Sequence, residues 1–256
     1  MSGITPIHAS DLEFDHGTFD SALFAAQTLA NWQALAAVID HTLLKPEATR
    51  EQVEKLCDEA MRYGFACAMV NPMWASTAVH LVSGSGVPVG VAIGFPLGAS
   101  LVSTLRQEAV ALTRLGVREL DMVMPVGQLK SGNYQAVQRT IHAVATVAHH
   151  HGALLKVILE TCLLNVEEKL RASEIAIQAG ADFIKTSTGF STAGASAADV
   201  ALMRGVAGAR VGVKAAGGIR TLADVKALLE AGANRIGASA SVAIVRELEE
   251  QQTVNS

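Results

Sequence analysis

Two lysines lie within apolar stretches of this 256-residue chain, where a buried ammonium group needs a compensating partner. Lys185 lies in "DFIKTSTGF", and Lys214 lies in "RVGVKAAGG". If both side chains point into one interior, like charges ~4 Å apart repel by about 4 kcal/mol at an effective dielectric of ~20. That repulsion lowers the pKa of one amine by roughly 3 units. A neutral amine at pH 7 is the nucleophile that Schiff-base chemistry requires.

Acidic residues in neighbouring stretches allow a second interpretation of the two lysines. Asp121 in "ELDMVM" and Glu160 in "KVILE" could form ordinary ion pairs with them. The repulsion is also symmetric, so it does not say whether Lys185, Lys214 or the earlier Lys156 is the nucleophile. Charge alone therefore leaves both the pairing and the identity of the nucleophile open.

Small residues follow the apolar stretches near the C-terminus and predict an anion site. The candidates are Thr188, Gly189, Gly217, Gly218 and Ser239. Glycine lets backbone N–H groups approach a phosphate closely, and a helix N-terminus adds a favourable dipole. Such a site would let a chain of net charge −4 bind a phosphorylated sugar. The alternative is that these residues are ordinary helix caps.

From about residue 37, short apolar runs alternate with longer segments of helical spacing. The runs that predict strands are "AVID", "FACAMV", "VPVGVAIGF", "RELDMVM", "ALLKVILE", "ADFIKTS", "RVGVKAA" and "NRIGA". Several segments between them end in a glycine suited to a left-handed cap, namely Gly64, Gly116, Gly180 and Gly232. Eight such units in ~250 residues predict an α/β fold, a (β/α)8 TIM barrel. A doubly wound open sheet is the alternative, although the GxGxxG turn of a dinucleotide fold is missing.

The predicted organisation is a helical extension over residues 1–33, a single catalytic barrel over 34–250 and a frayed tail over 251–256. In such barrels the working residues lie at the C-terminal ends of the strands. Asp40, Asp121 and the two lysines are predicted to lie there. The lysines at 156, 185 and 214 recur at the ~30-residue length of one βαβ unit, which predicts similar depths in three consecutive strands.

The composition limits the classes of partner. The chain is 50% hydrophobic but only 4% aromatic, which suits parallel strands buried by helices on both faces. Its net charge of −4 gives no electrostatic footprint for nucleic acid or for an anionic membrane. Three cysteines make neither a disulfide framework nor a zinc site. Because there is no signal pattern and no apolar run of ~20 residues, we expect a cytoplasmic protein.

The ordered motifs resemble those of the deoxyribose-phosphate aldolase family over nearly all of residues 37–240. They are "IDHTLLKPEAT", "VNP", "IGFPLG", "ELDMVMPVG", "LKVILETCLL", "ADFIKTSTGF", "VGVKAAGGIRT" and "RIGASA". The resemblance implies an α/β barrel that uses no metal and no cofactor. It also implies reversible cleavage of 2-deoxyribose 5-phosphate into acetaldehyde and glyceraldehyde 3-phosphate.

The resemblance implies roles for individual residues as well. Lys185 of "KTSTG" would form the Schiff base, and Lys214 of "VKAAGG" would depress its pKa. Asp121 would join Lys214 in a proton relay through water, and Asp40 would lie near a substrate hydroxyl. The phosphate would be held by Gly189, Gly217, Gly218 and Ser239.

Two positions depart from the family pattern. Met69 stands where cysteine is common, and Phe190 stands where some members have a lysine, which removes one possible cation from the phosphate site. Two other functions fit the sequence. One is a different Schiff-base aldolase of a phosphorylated sugar, and the other is a phosphosugar-binding barrel without covalent chemistry. In either case we expect a homo-oligomer, a dimer or a tetramer.

Overall fold

Eight parallel strands close into a barrel in chain order, β1 to β8, in a computed structural model that describes residues 18–254. The strands are β1 (Ile39–Leu43), β2 (Cys67–Val70), β3 (Val89–Ile93), β4 (Glu119–Val123), β5 (Leu154–Ile158), β6 (Phe183–Lys185), β7 (Gly212–Ala216) and β8 (Arg235–Ala238). The ring is closed because β1 pairs with both β2 and β8. The predicted (β/α)8 barrel is confirmed, and the open doubly wound sheet is excluded.

Helices surround the barrel and connect its strands. They are α1 (Ser21–Thr28), α2 (Trp32–Ala36), α3 (Arg50–Tyr63), α4 (Ala75–Leu81), α5 (Val102–Arg114), α6 (Val126–Lys130), α7 (Tyr134–His150), α8 (Val166–Gln178), α9 (Ala197–Ala207), α10 (Leu222–Glu230) and α11 (Ser241–Val254). Within residues 18–254, no helix is both long enough and apolar enough to cross a lipid bilayer.

Local sequence signals set the helix ends. Helix α3 begins with a capping box, in which Thr49 and Gln52 satisfy each other's backbone N–H groups. It ends at Gly64, which has a φ of 66°. The other three predicted cap glycines also have positive φ, at Gly116, Gly180 and Gly232. Glycine takes this conformation without the steric penalty of a Cβ atom, so the predicted left-handed helix ends are confirmed.

Helices near both ends of residues 18–254 pack against other helices of the outer layer. Helix α1 contacts α10, and α2 contacts α11. The predicted helical extension over residues 1–33 includes α1 and the first two residues of α2, while its residues 1–17 lie outside the described residues. Helix α11 continues to Val254, so it includes the first four residues of the tail for which the sequence predicts fraying.

Glycines inside the barrel make room for long side chains that cross it. A Cβ atom at Gly212 would lie 2.1 Å from the ring of Phe183, and one at Gly237 would lie 2.9 Å from Cε of Lys214. A Cβ atom at Gly90 would lie 2.5 Å from Cε of Met69, which is fully buried. The barrel therefore holds lysine and aromatic side chains where a more uniform barrel would hold layers of branched aliphatic residues.

The expectation that the working residues lie at strand ends is wrong for three of them. Asp40 is the second residue of β1, while Asp121 and Lys214 are each the third residue of a five-residue strand. Only Lys185 ends its strand. These side chains point into the barrel, where period-two alternation along each strand brings them together.

The prediction of similar depths holds for only two of the three lysines. Lys185 pairs in register with Lys214, as the predicted proximity requires. Lys156, however, is aligned with Phe183, while Ile158 is aligned with Lys185. Lys156 therefore lies two residues deeper in the barrel, below the other two amines.

Candidate active site

The centre of the barrel brings the two conspicuous lysines onto one carboxylate. Oδ2 of Asp121 on β4 lies 2.7 Å from Nζ of Lys185 and 2.7 Å from Nζ of Lys214. All three side chains are buried. The ion pairing and the mutual proximity of the lysines, which the sequence posed as alternatives, therefore occur together, and the partner of both lysines is Asp121.

A second layer of charged groups lies beneath this trio. Nζ of Lys156 lies 2.9 Å from Asp121 Oδ1, 3.0 Å from Asp40 Oδ2 and 2.5 Å from Glu119 Oε2. Arg235 at the start of β8 bridges Asp40 and Glu119 at 3.1 and 3.2 Å. Lys214 also contacts Asp40, so the two layers form one continuous network.

The network shifts the pKa values of its members in different directions. Burial and the nearby charge of Lys214 lower the pKa of Lys185, Asp121 raises it, and the net result is a pKa of about 8. Burial would also lower the pKa of Lys156, but Asp121, Asp40 and Glu119 outweigh it and hold that pKa well above the usual range. Burial would raise the pKa of Asp121, but three lysines outweigh it and keep the carboxylate ionised.

The balance of charge identifies Lys185 as the surplus amine. The ion pairs among residues 18–254 join three carboxylates to four cations in this interior: Asp40, Glu119, Asp121, Lys156, Lys185, Lys214 and Arg235. A neutral Lys185 leaves three charges of each sign, which removes the cost of an uncompensated buried charge. Burial contributes most to the lowered pKa, whereas the sequence had attributed it to Lys214 alone.

A cavity of about 360 Å³ opens above this network. It is lined by Thr42, Leu43, Leu44, Lys45, Lys185, Thr188, Gly189, Phe190, Ala216, Gly217, Gly218, Ile219, Gly237 and Ser239. The lining includes Lys185 and all five residues predicted to bind phosphate. Asp40, Asp121 and Lys214 lie below the cavity floor instead of lining it.

Three glycines at the cavity wall leave their backbone donors free. Gly189, Gly217 and Gly218 have φ values of 84°, 89° and 78°. Among the described residues, no hydrogen bond uses the N–H group of any of the three as donor. Free N–H groups in left-handed turns suit an anion, so the wall can bind a phosphate.

The hydroxyl groups of the predicted phosphate site differ in their availability. The Thr188 hydroxyl donates to Glu160 at 2.6 Å and accepts from the Phe190 N–H at 3.0 Å. The Ser239 side chain is exposed beside the cavity. Ser239 can therefore donate directly to an anion. The Thr188 hydroxyl, in contrast, already donates one hydrogen bond and accepts another within the protein.

Sequence reasoning missed three members of the site. Glu119 lies two residues before Asp121 and Arg235 two residues before Gly237, so strand alternation could have placed both in the interior. Lys156 was considered as a possible nucleophile, but its position below the other two amines was not predicted. Lys45, in the quoted motif "HTLLKPEAT", gave no chemical signal, because its position at the cavity mouth depends on the turn after β1.

One set of side chains has the spacing of a metal site but not its chemistry. Asp40, Cys67 and Glu119 can place one ligand atom each within 4.8 Å of one another. Lys156 and Arg235 already occupy both carboxylates. Burial raises the pKa of the Cys67 thiol well above its usual range, so the thiol stays protonated. These residues do not fit a metal ion.

Comparison with known proteins assigns the family. A family model described as DeoC/LacD family aldolase matches residues 9–248. The deoxyribose-phosphate aldolase of Caldanaerobacter subterraneus subsp. tengcongensis is 51% identical over 218 residues, which cover 85% of this chain and 94% of that protein. The deoxyribose-phosphate aldolase of Lysinibacillus sphaericus is 53% identical over 216 residues, which cover 84% of this chain and 96% of that protein.

A solved structure agrees with both sequence matches. The tetrameric deoxyribose phosphate aldolase of Aeropyrum pernix is 35% identical to this chain and superposes with a TM-score of 0.84. The match covers 91% of this chain and 98% of that one. This chain therefore belongs to the DeoC/LacD aldolase family.

Proposed function

We propose that this chain is a deoxyribose-phosphate aldolase in which Lys185 forms the Schiff base. One observation carries the assignment of the nucleophile. Of the three interior lysines, Lys185 is the one that lines the cavity, and its pKa is lowered to about 8, chiefly by burial. Roughly a tenth of the amine is therefore neutral at pH 7, far more than for an ordinary lysine, and it faces the space that a substrate would occupy.

In the direction of synthesis, the amine nitrogen of Lys185 attacks the carbonyl carbon of acetaldehyde and the oxygen takes up a proton. The resulting carbinolamine loses water and leaves an iminium ion. Removal of a proton from the methyl carbon gives an enamine. That carbon then attacks the aldehyde carbon of glyceraldehyde 3-phosphate, and hydrolysis of the new iminium releases 2-deoxyribose 5-phosphate and the free lysine.

Asp121 and Lys214 are placed to move the protons of this sequence. Oδ2 of Asp121 lies 2.7 Å from both amines, so it stays beside Lys214 when Lys185 becomes an iminium nitrogen. We assign proton transfer to this pair, with water reaching the substrate carbon. General acid–base catalysis of this kind contributes ~10²–10⁴-fold. Asp40, which contacts Lys214 and Lys156, holds the pair in place from below.

The phosphate is assigned to the wall that carries Gly189, Gly217, Gly218 and Ser239. Free backbone N–H groups supply directional donors there, and Lys45 supplies a cation at the mouth of the cavity. Lys45 takes part in none of the ion pairs formed by residues 18–254, so its charge is available to a ligand. Lys45 offsets the cation that Phe190 does not provide.

We infer that the chain forms a homo-oligomer, as the tetrameric relative from Aeropyrum pernix does. Leu97 and Leu101, in the loop before α5, are 78% and 74% exposed, which favours burial against another subunit. Light scattering of the purified protein measures the assembly directly. A mass of about 27 kDa would contradict the inference.

Trapping with borohydride tests the catalytic assignment. Acetaldehyde and borohydride should add an ethyl group to Lys185, located by peptide mass spectrometry. A Lys185→Leu variant should remain folded, form no adduct and lose turnover. An adduct on Lys214 or Lys156 would contradict the assignment.

The same experiment separates the alternative functions. Trapping with dihydroxyacetone phosphate or pyruvate, but not with acetaldehyde, would indicate a different Schiff-base aldolase. Binding of 2-deoxyribose 5-phosphate without any adduct would indicate a phosphosugar-binding barrel.

A further inference from the structure

Glu160, which directly follows β5, has a backbone conformation that its residue type disfavours. With φ of 57° and ψ of 61°, it is the one non-glycine residue within 18–254 that has a positive φ. In this region the Cβ atom of an L residue crowds the following carbonyl oxygen. Strain of this kind persists where surrounding structure enforces it, and it is concentrated at functional sites.

The side chain of Glu160 is equally unusual. It is buried, yet none of the ion pairs among the described residues includes it. Thr188 provides most of the hydrogen bonds to this carboxylate. Oε2 accepts from the Thr188 hydroxyl at 2.6 Å, and Oε1 accepts from the Thr188 backbone N–H at 3.3 Å and from the Cys162 thiol at 3.8 Å. Burying a carboxylate without a cationic partner is costly, and two of its three hydrogen-bond donors belong to Thr188.

Thr188 in turn restrains the next residues of the loop after β6. Its hydroxyl accepts from the Phe190 N–H at 3.0 Å, so Thr188, Gly189 and Phe190 are held as one unit. Thr188 and Phe190 line the active-site cavity on one side and a smaller cavity of about 140 Å³ on the other. Glu160 lines only the smaller cavity. The segment 188–190 is therefore a thin wall, and Glu160 supports it from behind.

We propose that Glu160 is a positioning residue that fixes the wall segment 188–190 and so sets the preference for phosphorylated substrates. The inference rests on the proposed function. Without the carboxylate, the wall can relax into the smaller cavity and carry the free N–H of Gly189 away from the phosphate. Lys185 would keep its place, because it belongs to β6 and pairs with Asp121 on β4.

Two substitutions separate the carboxylate from the backbone strain. Glu160→Gly removes the side chain and suits the left-handed conformation, so it weakens the support without adding strain. Glu160→Gln keeps the size but has only one acceptor oxygen for the two Thr188 donors. We expect the KM for 2-deoxyribose 5-phosphate to rise roughly tenfold in Glu160→Gly and roughly threefold in Glu160→Gln, as the loss of charge-assisted hydrogen bonds predicts. Exposed Glu167, changed to Gln, is the matched control and should keep the wild-type KM.

The role of Glu160 is tested by comparing the kinetic constants for 2-deoxyribose 5-phosphate with those for 2-deoxyribose. The kcat for the phosphorylated sugar and the kcat/KM for the unphosphorylated sugar should both stay within about threefold of wild type. Trapping of acetaldehyde on Lys185 should be unchanged, since acetaldehyde has no phosphate. A wild-type KM in both variants, or equal losses for the two sugars, would overturn the role of Glu160. Failure of the wild-type protein to form any adduct would instead overturn the proposed function.

Discussion

At the scale of single residues, Lys45 gives the phosphate assignment a direct test. Changing it to Met keeps most of the side-chain volume and removes the cation at the cavity mouth. Because a hydrogen bond to a charged group contributes ~1.5–3 kcal/mol, the KM for 2-deoxyribose 5-phosphate should rise at least about tenfold, with kcat little changed. Steady-state kinetics measure both constants.

Lys226→Met on α10 is the matched control for this change. Lys226 is also an exposed lysine, and it lines none of the active-site cavity. Its substitution should leave KM at the wild-type value. If Lys45→Met and Lys226→Met behave alike, the phosphate is not held at the mouth of this cavity.

The sequence predicted single residues well where chemistry and spacing agreed. Lys185, Lys214 and Asp121 do meet, because alternation along parallel strands places them in one interior. Choosing among the lysines needed the three-dimensional structure, because Lys185 lines the cavity while the deeper Lys156 is paired with three carboxylates. Lys45 and the contacts of Thr188 depend on loop conformations, which one sequence does not determine.

At the scale of an element, strand β8 has to leave space for the lysine of its neighbour. A Gly237→Ala change would put a Cβ atom 2.9 Å from Cε and 3.6 Å from Nζ of Lys214. The flexible end of that side chain would move and lengthen its contacts with Asp121 and Asp40. We expect kcat to fall by about tenfold or more, because the proton-transfer pair is displaced, while thermal unfolding changes little.

Helix α9 offers a matched glycine for that experiment. A Cβ atom at exposed Gly205 would meet no atom within 4 Å. Gly205→Ala should stabilise the protein by about 0.5–1 kcal/mol, because alanine favours a helix interior, and it should leave kcat unchanged. Equal kcat values for Gly237→Ala and Gly205→Ala would show that Lys214 tolerates displacement.

The barrel itself was predictable because each strand and helix carries its own local signals. Strand bounds were less predictable, and β1 illustrates the reason. The run "AVID" ends at Asp40, yet the strand continues through His41 and Thr42 to Leu43. His41 packs outside the barrel against Glu59 and Phe65, so a polar residue continues a strand that hydropathy alone would have ended.

At the scale of the whole molecule, six strands contribute charged residues to one interior, so distant groups should change the pKa of the nucleophile. The kcat/KM should fall as the pH drops below about 8, where Lys185 becomes protonated. Glu119→Gln removes a negative charge and should move this midpoint to lower pH. Arg235→Gln removes a positive charge and should move it to higher pH. At ~10 Å and an effective dielectric of ~20, each shift is about one unit.

The double variant Glu119→Gln, Arg235→Gln restores the net charge of the interior. Its midpoint should return toward that of the wild-type enzyme, as measured from the pH dependence of kcat/KM. Loss of structure alone would not produce shifts of opposite sign that cancel. Shifts in the same direction in the two single variants would contradict the electrostatic coupling.

The charged interior also bears on how this enzyme responds to heat. Ionised groups lose hydration free energy as temperature rises, so the desolvation cost of burying the network of Lys156, Asp40, Glu119 and Arg235 becomes smaller. Hydrophobic stabilisation per unit area levels off over the same range. A barrel filled partly with ion pairs is less stable than one filled with aliphatic layers by an amount that becomes smaller as the temperature rises.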